Sequence, residues 1–207
     1  NVLFELSEFD KSIDCYKRAI KLDPNFSDAF NNLGNVYYKK ENLNKAIENY
    51  ELALSLDSGL NKDKPYYNLG NIFRELESFE KSIDYYKKAI DINPNSIDAY
   101  INLSISLNKN GNLKEAISYG EMAIEKNPKN VKALNNLGEY HQEIGNEDLS
   151  IVYYKKALEI KPTNLRSRWL LMNTFPIIGN LKQVTKYKFG NTSDQGIFND
   201  LKFLLLI

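Results

Sequence analysis

The sequence has few of the residues that build disulfides, metal sites and membrane spans. Cys15 is the only cysteine and His141 the only histidine among 207 residues. A single cysteine excludes an intramolecular disulfide and fits a reducing compartment. The sequence also shows no run of roughly 20 apolar residues and no signal peptide. These absences predict a cytoplasmic protein without a membrane partner.

Neither sign of charge is in excess. The chain carries 27 basic and 27 acidic residues, so its formal net charge is zero. Nucleic acids are bound largely through Lys and Arg at their phosphates. A nucleic-acid partner is therefore not predicted.

Motifs that carry chemistry are missing as well. We find no Gly-rich phosphate loop, no Cys/His set at metal-ligand spacing and no nucleophile elbow. His141 and Glu143 have His-x-Glu spacing, but no cysteine pair follows that would complete a zinc deaminase site. His141 stands where other segments carry an aromatic residue, so we expect a packed core histidine. The chain as given is predicted to have no catalytic residue, no metal and no cofactor.

What the sequence does contain is a repeat. The segment 66–73 has near copies at 32–35 and 136–139 and a looser copy at 102–105. A leucine recurs every 34 residues at Leu69, Leu103, Leu137 and Leu171. A fixed period of this length predicts a stacked array of one supersecondary unit rather than a single globular core.

Each unit has two helical patterns. In the best copy the apolar residues Tyr66, Leu69, Gly70 and Phe73 follow i, i+3, i+4, i+7 spacing. A second stripe runs from Phe79 through Tyr86 to Ile90. Ser78 is placed between them as an N-cap, and the equivalent positions are Asn42, Asn112, Asn146 and Asn180. Gly70 is expected to leave room for the paired helix, and Pro94 to end the second helix.

In this order the aromatic, Leu-Gly, Tyr, Ala and Pro positions resemble the tetratricopeptide repeat (TPR) over roughly residues 1–190. The resemblance implies an all-α fold, a right-handed superhelical solenoid of helix-turn-helix repeats. The predicted segments are a truncated first repeat (1–26), a repeat with a two-residue insertion (27–62), regular repeats at 63–96, 97–130 and 131–164, a degenerate repeat or capping helices (165–190), and a C-terminal helix or the start of a further region (191–207). Within 1–26 we expect the end of a first helix (2–6) and a complete second helix.

The repeat at 97–130 departs from the pattern twice. Ser104 replaces the glycine of the other copies and Gly120 replaces their tyrosine. One interpretation is that a small residue has moved from one helix to its partner, which conserves volume. The alternative is a looser repeat, since glycine inside a helix costs about 1 kcal/mol relative to alanine.

The resemblance implies that one face of each first helix lines a concave groove. An asparagine precedes Leu33, Leu69, Leu103 and Leu137. These residues give an asparagine ladder of Asn32, Asn68, Asn102 and Asn136, extended by Asn35 and Asn71. An amide both donates and accepts hydrogen bonds, so such a ladder suits the backbone of an extended peptide. The alternative is that these amides brace neighbouring helices. Tyr67, Ile101 and Ile105 are predicted to form an apolar patch in the groove that accepts one side chain, or to pack between helices.

Charges of alternating sign flank the ladder at Asp28, Lys64, Asp98 and Lys132 on one side and at Lys39, Glu75, Lys109 and Glu143 on the other. Opposite signs therefore face each other on adjacent first helices, and we expect lateral ion pairs between repeats. Pairing of this kind disfavours a groove that reads a carboxylate.

The leading hypothesis is a protein-protein interaction scaffold that binds an extended peptide segment. A second hypothesis comes from residues 169–178, which resemble the junction after the repeats in bacterial O-GlcNAc-transferase-like glycosyltransferases. This chain would then be a substrate-recruiting arm whose catalytic domain lies elsewhere. A third hypothesis is self-association through exposed repeat ends.

Overall fold

The structure, a computed structural model, describes residues 2–56 and 62–174. Within these ranges the chain is all-α and contains no strand. It divides into two compact units, residues 1–126 and 127–207. The expectations for the turn at 57–61, for the cap at Asn180 and for the helices beyond residue 175 lie outside the described residues.

The first unit is a stack of helix pairs. Its helices are α1 (Val2–Leu22), α2 (Ser27–Lys39), α3 (Leu43–Leu56), α4 (Asp63–Glu75), α5 (Phe79–Ile92), α6 (Ile97–Lys109) and α7 (Leu113–Lys126). The pairs α2–α3, α4–α5 and α6–α7 pack closely, and α3 and α5 also contact the first helix of the next pair. Contacts of α2 with α4 and of α4 with α6 place the first helices side by side. These three helices therefore share one face.

The second unit repeats this arrangement on a smaller scale. Its described helices are α8 (Val131–Glu143), α9 (Glu147–Ile160) and α10 (Leu165–Thr174). Helix α9 packs against both α8 and α10, and α10 also contacts α8. His141 is buried on α8, and its ring stacks on Tyr153 at a centroid distance of 5.4 Å. The expectation of a packed core histidine is confirmed.

Helix α1 differs from the expectation for residues 1–26. We expected a break near residue 7, but the backbone forms one helix over Val2–Leu22. The position that carries Ser78 in the later pair is occupied here by Glu8. Glutamate is a good helix former and a poor N-cap, so nothing in the sequence stops the helix at this point.

The turns inside the helix pairs share a left-handed residue. Glu41, Glu77, Gly111 and Gly145 have φ values of 58°, 54°, 82° and 76°. In two of these turns the predicted cap forms. Asn42 Oδ1 accepts a hydrogen bond from the Lys45 amide at 3.2 Å, and Asn146 Oδ1 accepts one from the Leu149 amide at 3.3 Å. Ser78 makes no such bond, so the predicted side-chain cap at that residue is wrong.

Three of the helix pairs, α2–α3, α4–α5 and α8–α9, have a close contact between a glycine and a tyrosine. A Cβ atom on Gly70 would lie 2.6 Å from Cε1 of Tyr86, and a Cβ atom on Gly34 would lie 2.6 Å from Cε1 of Tyr50. The rings of Tyr50 and Tyr86 are at most 1% exposed. The expectation that Gly70 admits the paired helix is confirmed.

The α6–α7 pair closes differently. Ser104 is 1% exposed and Gly120 is buried, so the larger residue of the contact now lies on the first helix. The two helices still pack along their length. This packing supports the interpretation that volume is conserved across the pair.

Candidate functional site

The first helices of the first unit enclose a groove. Between α2 and α4 it widens into a pocket with a volume of about 610 Å³. The pocket is lined by Phe26, Asp28, Asn31, Asn32, Asn35, Asp63, Lys64, Tyr67, Asn68 and Ser96. Three of these are site residues predicted from sequence on the asparagine pattern, namely Asn32, Asn35 and Asn68. Tyr67 lies among them as predicted.

The side chain of Asn68 links α4 to α2. Its Nδ2 donates to Asn35 Oδ1 at 3.0 Å and to Asn31 Oδ1 at 3.3 Å. Asn102 repeats this link one pair later. Its Nδ2 donates to Asn71 Oδ1 at 3.1 Å and to the Tyr67 hydroxyl at 3.0 Å. These hydrogen bonds are the bracing between repeats that formed the alternative interpretation of the ladder.

A tyrosine of the second helix completes each link. The Tyr50 hydroxyl donates to Asn35 Oδ1 at 2.8 Å, and the Tyr86 hydroxyl donates to Asn71 Oδ1 at 2.7 Å. Each of these two amide oxygens therefore accepts two hydrogen bonds, which occupies both of its lone pairs. One asparagine thus connects both helices of its own pair to the next pair.

Arg74 fixes the direction of this chain of bonds. Its Nε lies 3.4 Å from the Tyr86 hydroxyl, and a guanidinium can only donate. The hydroxyl therefore accepts from Arg74 and gives its own proton to Asn71 Oδ1. Burial raises the pKa of Tyr86 to about 12, which keeps the hydroxyl protonated as a donor at neutral pH.

The bracing leaves a defined set of amide groups free. Within the described residues, Asn68 Oδ1 receives no hydrogen bond and Nδ2 of Asn35 donates none. The Asn71 amide, in contrast, also hydrogen-bonds the Tyr67 hydroxyl. The Asn32 side chain makes no hydrogen bond in this part of the chain, and it is only partly buried in the pocket wall. The groove therefore offers both donors and acceptors to a ligand.

The predicted apolar patch is mostly internal. Ile101 is 1% exposed, so it presents no surface to a ligand. Ile105 and Tyr67 are half-buried. The Tyr67 ring lies 5.8 Å from the Tyr86 ring, and burial raises the pKa of its hydroxyl. Of the three, Tyr67 is the residue that lines the pocket.

The last rung of the asparagine ladder lies in the second unit. Asn136 is 3% exposed, and its Oδ1 is 3.5 Å from Nη2 of Arg166. The same Nη2 atom donates to both carboxylate oxygens of Glu139, at 2.8 and 3.1 Å. In the first unit an asparagine amide donates to an asparagine oxygen. Here Arg166 on α10 is the donor, and the Glu139 carboxylate is the acceptor.

The charges at the groove edges do not all pair as expected. Within the described residues, Asp28 forms no ion pair with Lys64, and Glu75 forms none with Lys39. Glu75 instead accepts a hydrogen bond from the Tyr38 hydroxyl on α2. Burial, followed by this bond to Glu75, raises the pKa of Tyr38 to about 12. A link between α2 and α4 therefore exists at this edge, but its donor is the neutral Tyr38 hydroxyl and not a lysine.

The described residues contain neither a metal-binding cluster nor a membrane-spanning helix. No group of three or more His, Cys, Asp or Glu side chains in these ranges is placed to hold a metal ion. None of the helices described over 2–56 and 62–174 is long and apolar enough to cross a bilayer.

Comparison with known proteins explains the repeat pattern. Family models described as TPR repeat or tetratricopeptide repeat match residues 1–41, 25–95, 85–118 and 131–164. The structure of MamA is 30% identical in sequence with a TM-score of 0.70, and the match covers 75% of this chain and 90% of MamA. The chain belongs to the tetratricopeptide repeat family. No curated protein sequence matches it.

Two further TPR-like structures are similar over most of the chain. YrrB, described as a TPR protein with an unusual peptide-binding site, is 27% identical with a TM-score of 0.67. That match covers 81% of this chain and 85% of YrrB. PilF from Pseudomonas aeruginosa has a TM-score of 0.73 at 16% identity, covering 95% of this chain and 99% of PilF. At that identity the likeness to PilF concerns the fold alone.

Sequence reasoning missed one residue of the bracing. Asn31 is 7% exposed and accepts from Asn68. Asn31 occupies the position of Tyr67 and Ile101 in the later repeats. Alignment of the repeats could therefore have placed it on the groove side. The residues that resemble a glycosyltransferase junction extend beyond Thr174 and there lie outside the described part of the chain.

Proposed function

We propose that this TPR chain is a non-catalytic scaffold that binds an extended peptide along the groove of α2, α4 and α6. The observation that carries the proposal is the set of amide groups left free by the bracing. An extended peptide presents alternating N–H and C=O groups, and each needs a partner of the opposite kind. Asn32 and Asn68 Oδ1 supply acceptors, whereas Asn32 and Asn35 supply donors.

The rigidity of these groups supports the same function. Asn35 is held by two hydrogen bonds to its oxygen, so its Nδ2 donor points in a fixed direction. A ligand that meets preoriented partners loses less conformational entropy in the protein on binding. The similarity to YrrB, a TPR protein with a peptide-binding site, favours a peptide as the ligand class.

The bracing decides which variants can test the proposal. Alanine at Asn68 or Asn102 removes bonds between repeats, so a loss of binding could come from a loss of structure. Alanine at Asn32 removes a groove amide that has no partner in the described part of the chain. Asn44 is an exposed asparagine on α3 outside the pocket, and it provides a matched control.

The experiment is a screen of an array of random 12-residue peptides, followed by titration of the selected peptides. Asn32→Ala should weaken binding roughly twofold to tenfold, in line with about 0.5–1.5 kcal/mol per hydrogen bond. Its unfolding free energy should stay within about 0.5 kcal/mol of the parent. Asn44→Ala should change neither quantity. Equal affinity of Asn32→Ala and the parent for every selected peptide would refute binding at this groove.

A further inference from the structure

Among the described residues, one carboxylate at the rim of the pocket, that of Asp28, has no counter-ion. Asp28 lies in the first turn of α2 and is exposed, and the described residues place no cation at ion-pair distance from it. Lys64 lines the same pocket from α4 without pairing with it. The charge of Asp28 is therefore available to a ligand.

Further hydrogen-bond acceptors line the same pocket as Asp28. Asn68 uses both of its N–H groups on Asn31 and Asn35, which leaves only its oxygen facing a ligand. Asp63, on the same pocket wall, accepts a single bond, from Asn93 Nδ2 at 2.9 Å. A group that only donates, and donates several hydrogen bonds, would satisfy these atoms.

Two aromatic rings line the same pocket. Phe26 is 44% exposed, and Tyr67 is half-buried on the opposite wall. The face of an aromatic ring attracts a cation, and a planar guanidinium stacks on it better than an ammonium does. The rings therefore add a preference for arginine over lysine.

We infer that this pocket binds the side chain of an arginine in the bound peptide, with Asp28 as the residue that selects the positive charge. The inference rests on the proposed function, because it names a side chain of the proposed ligand. The volume of about 610 Å³ is ample for one side chain and its neighbouring backbone. Lys64 works against the cation and limits the affinity.

The pocket can be tested without a peptide. The probes are N-acetyl-arginine methylamide and its citrulline analogue, which has the same shape without the charge. Binding is followed by the NMR shifts of the side-chain amides of Asn32 and Asn68 in the full chain. The arginine probe should bind roughly threefold to tenfold more tightly than the citrulline probe, as expected for one partly exposed ion pair with hydrogen bonds.

Three variants locate the effect. Asp28→Asn should abolish the preference for arginine over citrulline, whereas Lys64→Gln should increase it. Glu48→Gln removes an exposed carboxylate outside the pocket and should leave the preference unchanged. Equal binding of the two probes to the parent would overturn the inference. Tighter binding of a glutamate probe would also overturn it and would assign selection to Lys64.

The peptide array separates this inference from the proposed function. Enrichment of arginine at one position, lost in Asp28→Asn, supports both. Peptides that bind through Asn32 without arginine enrichment leave the scaffold function standing and refute the arginine pocket. If the arginine probe binds at Asp28 but no peptide binds, the peptide-scaffold function fails and only the pocket assignment survives.

Discussion

The Tyr86 hydroxyl lies 2.7 Å from Asn71 Oδ1 and joins the two helices of one repeat at the point where the next repeat attaches. Asn102 donates to the same oxygen from the following repeat. The Tyr86 hydroxyl thus helps to hold its own helix pair together and to attach the next helix pair. The stability of the array and the orientation of its groove amides therefore depend on the same hydrogen bonds.

Tyr86→Phe should destabilise the chain by about 1 kcal/mol. The substitution keeps the ring that packs on Gly70 and removes the bond to Asn71 together with the one from Arg74. The measurement is chemical denaturation in urea. Tyr85→Phe is the control, because the Tyr85 ring is only half-buried and its hydroxyl makes no hydrogen bond within the described residues. A loss of the same size in both variants would contradict the role of the hydroxyl bond.

The effect of Tyr86→Phe should depend on pH. Burial raises the pKa of Tyr86 from 10.0 to about 12, so the folded chain retains this proton after the unfolded chain has lost it. The stabilisation is complete below pH 10 and is lost as the pH rises from 10 to 12. The difference in unfolding free energy between parent and Tyr86→Phe should therefore shrink between pH 10 and pH 12. A constant difference across this range would be inconsistent with a raised pKa.

Gly70→Ala and Tyr86→Ala should be strongly coupled. In the parent, a Cβ atom on Gly70 would meet the Tyr86 ring at 2.6 Å, and overpacking of this kind costs about 1–3 kcal/mol. With Tyr86 already replaced, the same change meets no ring and gains about 1 kcal/mol of helix propensity. A double-mutant cycle by urea denaturation measures the coupling. If the two free-energy changes are additive, the alanine methyl group at residue 70 does not clash with the Tyr86 ring.

Arg166 and Glu139 should interact favourably in a double-mutant cycle on the second unit. Their side chains are 53% and 34% exposed, so we expect a coupling of about 0.2–1 kcal/mol. The coupling should weaken between 0.05 and 0.5 M salt, since exposed charges are screened over roughly 10 Å at 0.1 M. Lys11 and Glu8, an exposed pair within one helix, serve as the comparison. A coupling that is insensitive to salt would point to packing instead of charge.

The sequence predicts the fold well because each local signal repeats. The 34-residue spacing, the amphipathic stripes and the pairing of Gly70 with Tyr86 all point to the same helix pair. The unbroken α1 escaped prediction because a single residue, Glu8, stands where the other repeats carry a serine or an asparagine. A single substitution in one repeat is weak evidence against a helix boundary that the other repeats all indicate.

The site was predicted less completely, since it depends on the stagger between neighbouring repeats. Sequence alone placed Asn68 on the groove face, but it did not show that both of its N–H groups turn toward α2. The same stagger buries Ile101 and gives Glu75 a tyrosine partner in place of a lysine. Registers between repeats are set by packing over many residues, and no local motif encodes them.

The exchange in the α6–α7 pair has a consequence for recombination between repeats. Where Gly120 replaces the tyrosine, Ile105 replaces the asparagine that the tyrosine hydroxyl would contact, and Ser104 replaces the glycine. The residues at these three positions, on two helices, therefore fit one another and differ together from those of the other repeats. A crossover that joined α6 to a tyrosine-bearing second helix would set Ser104 against the ring and leave its hydroxyl facing an isoleucine. Moving α6 and α7 together would preserve this contact, whereas moving either helix alone would not.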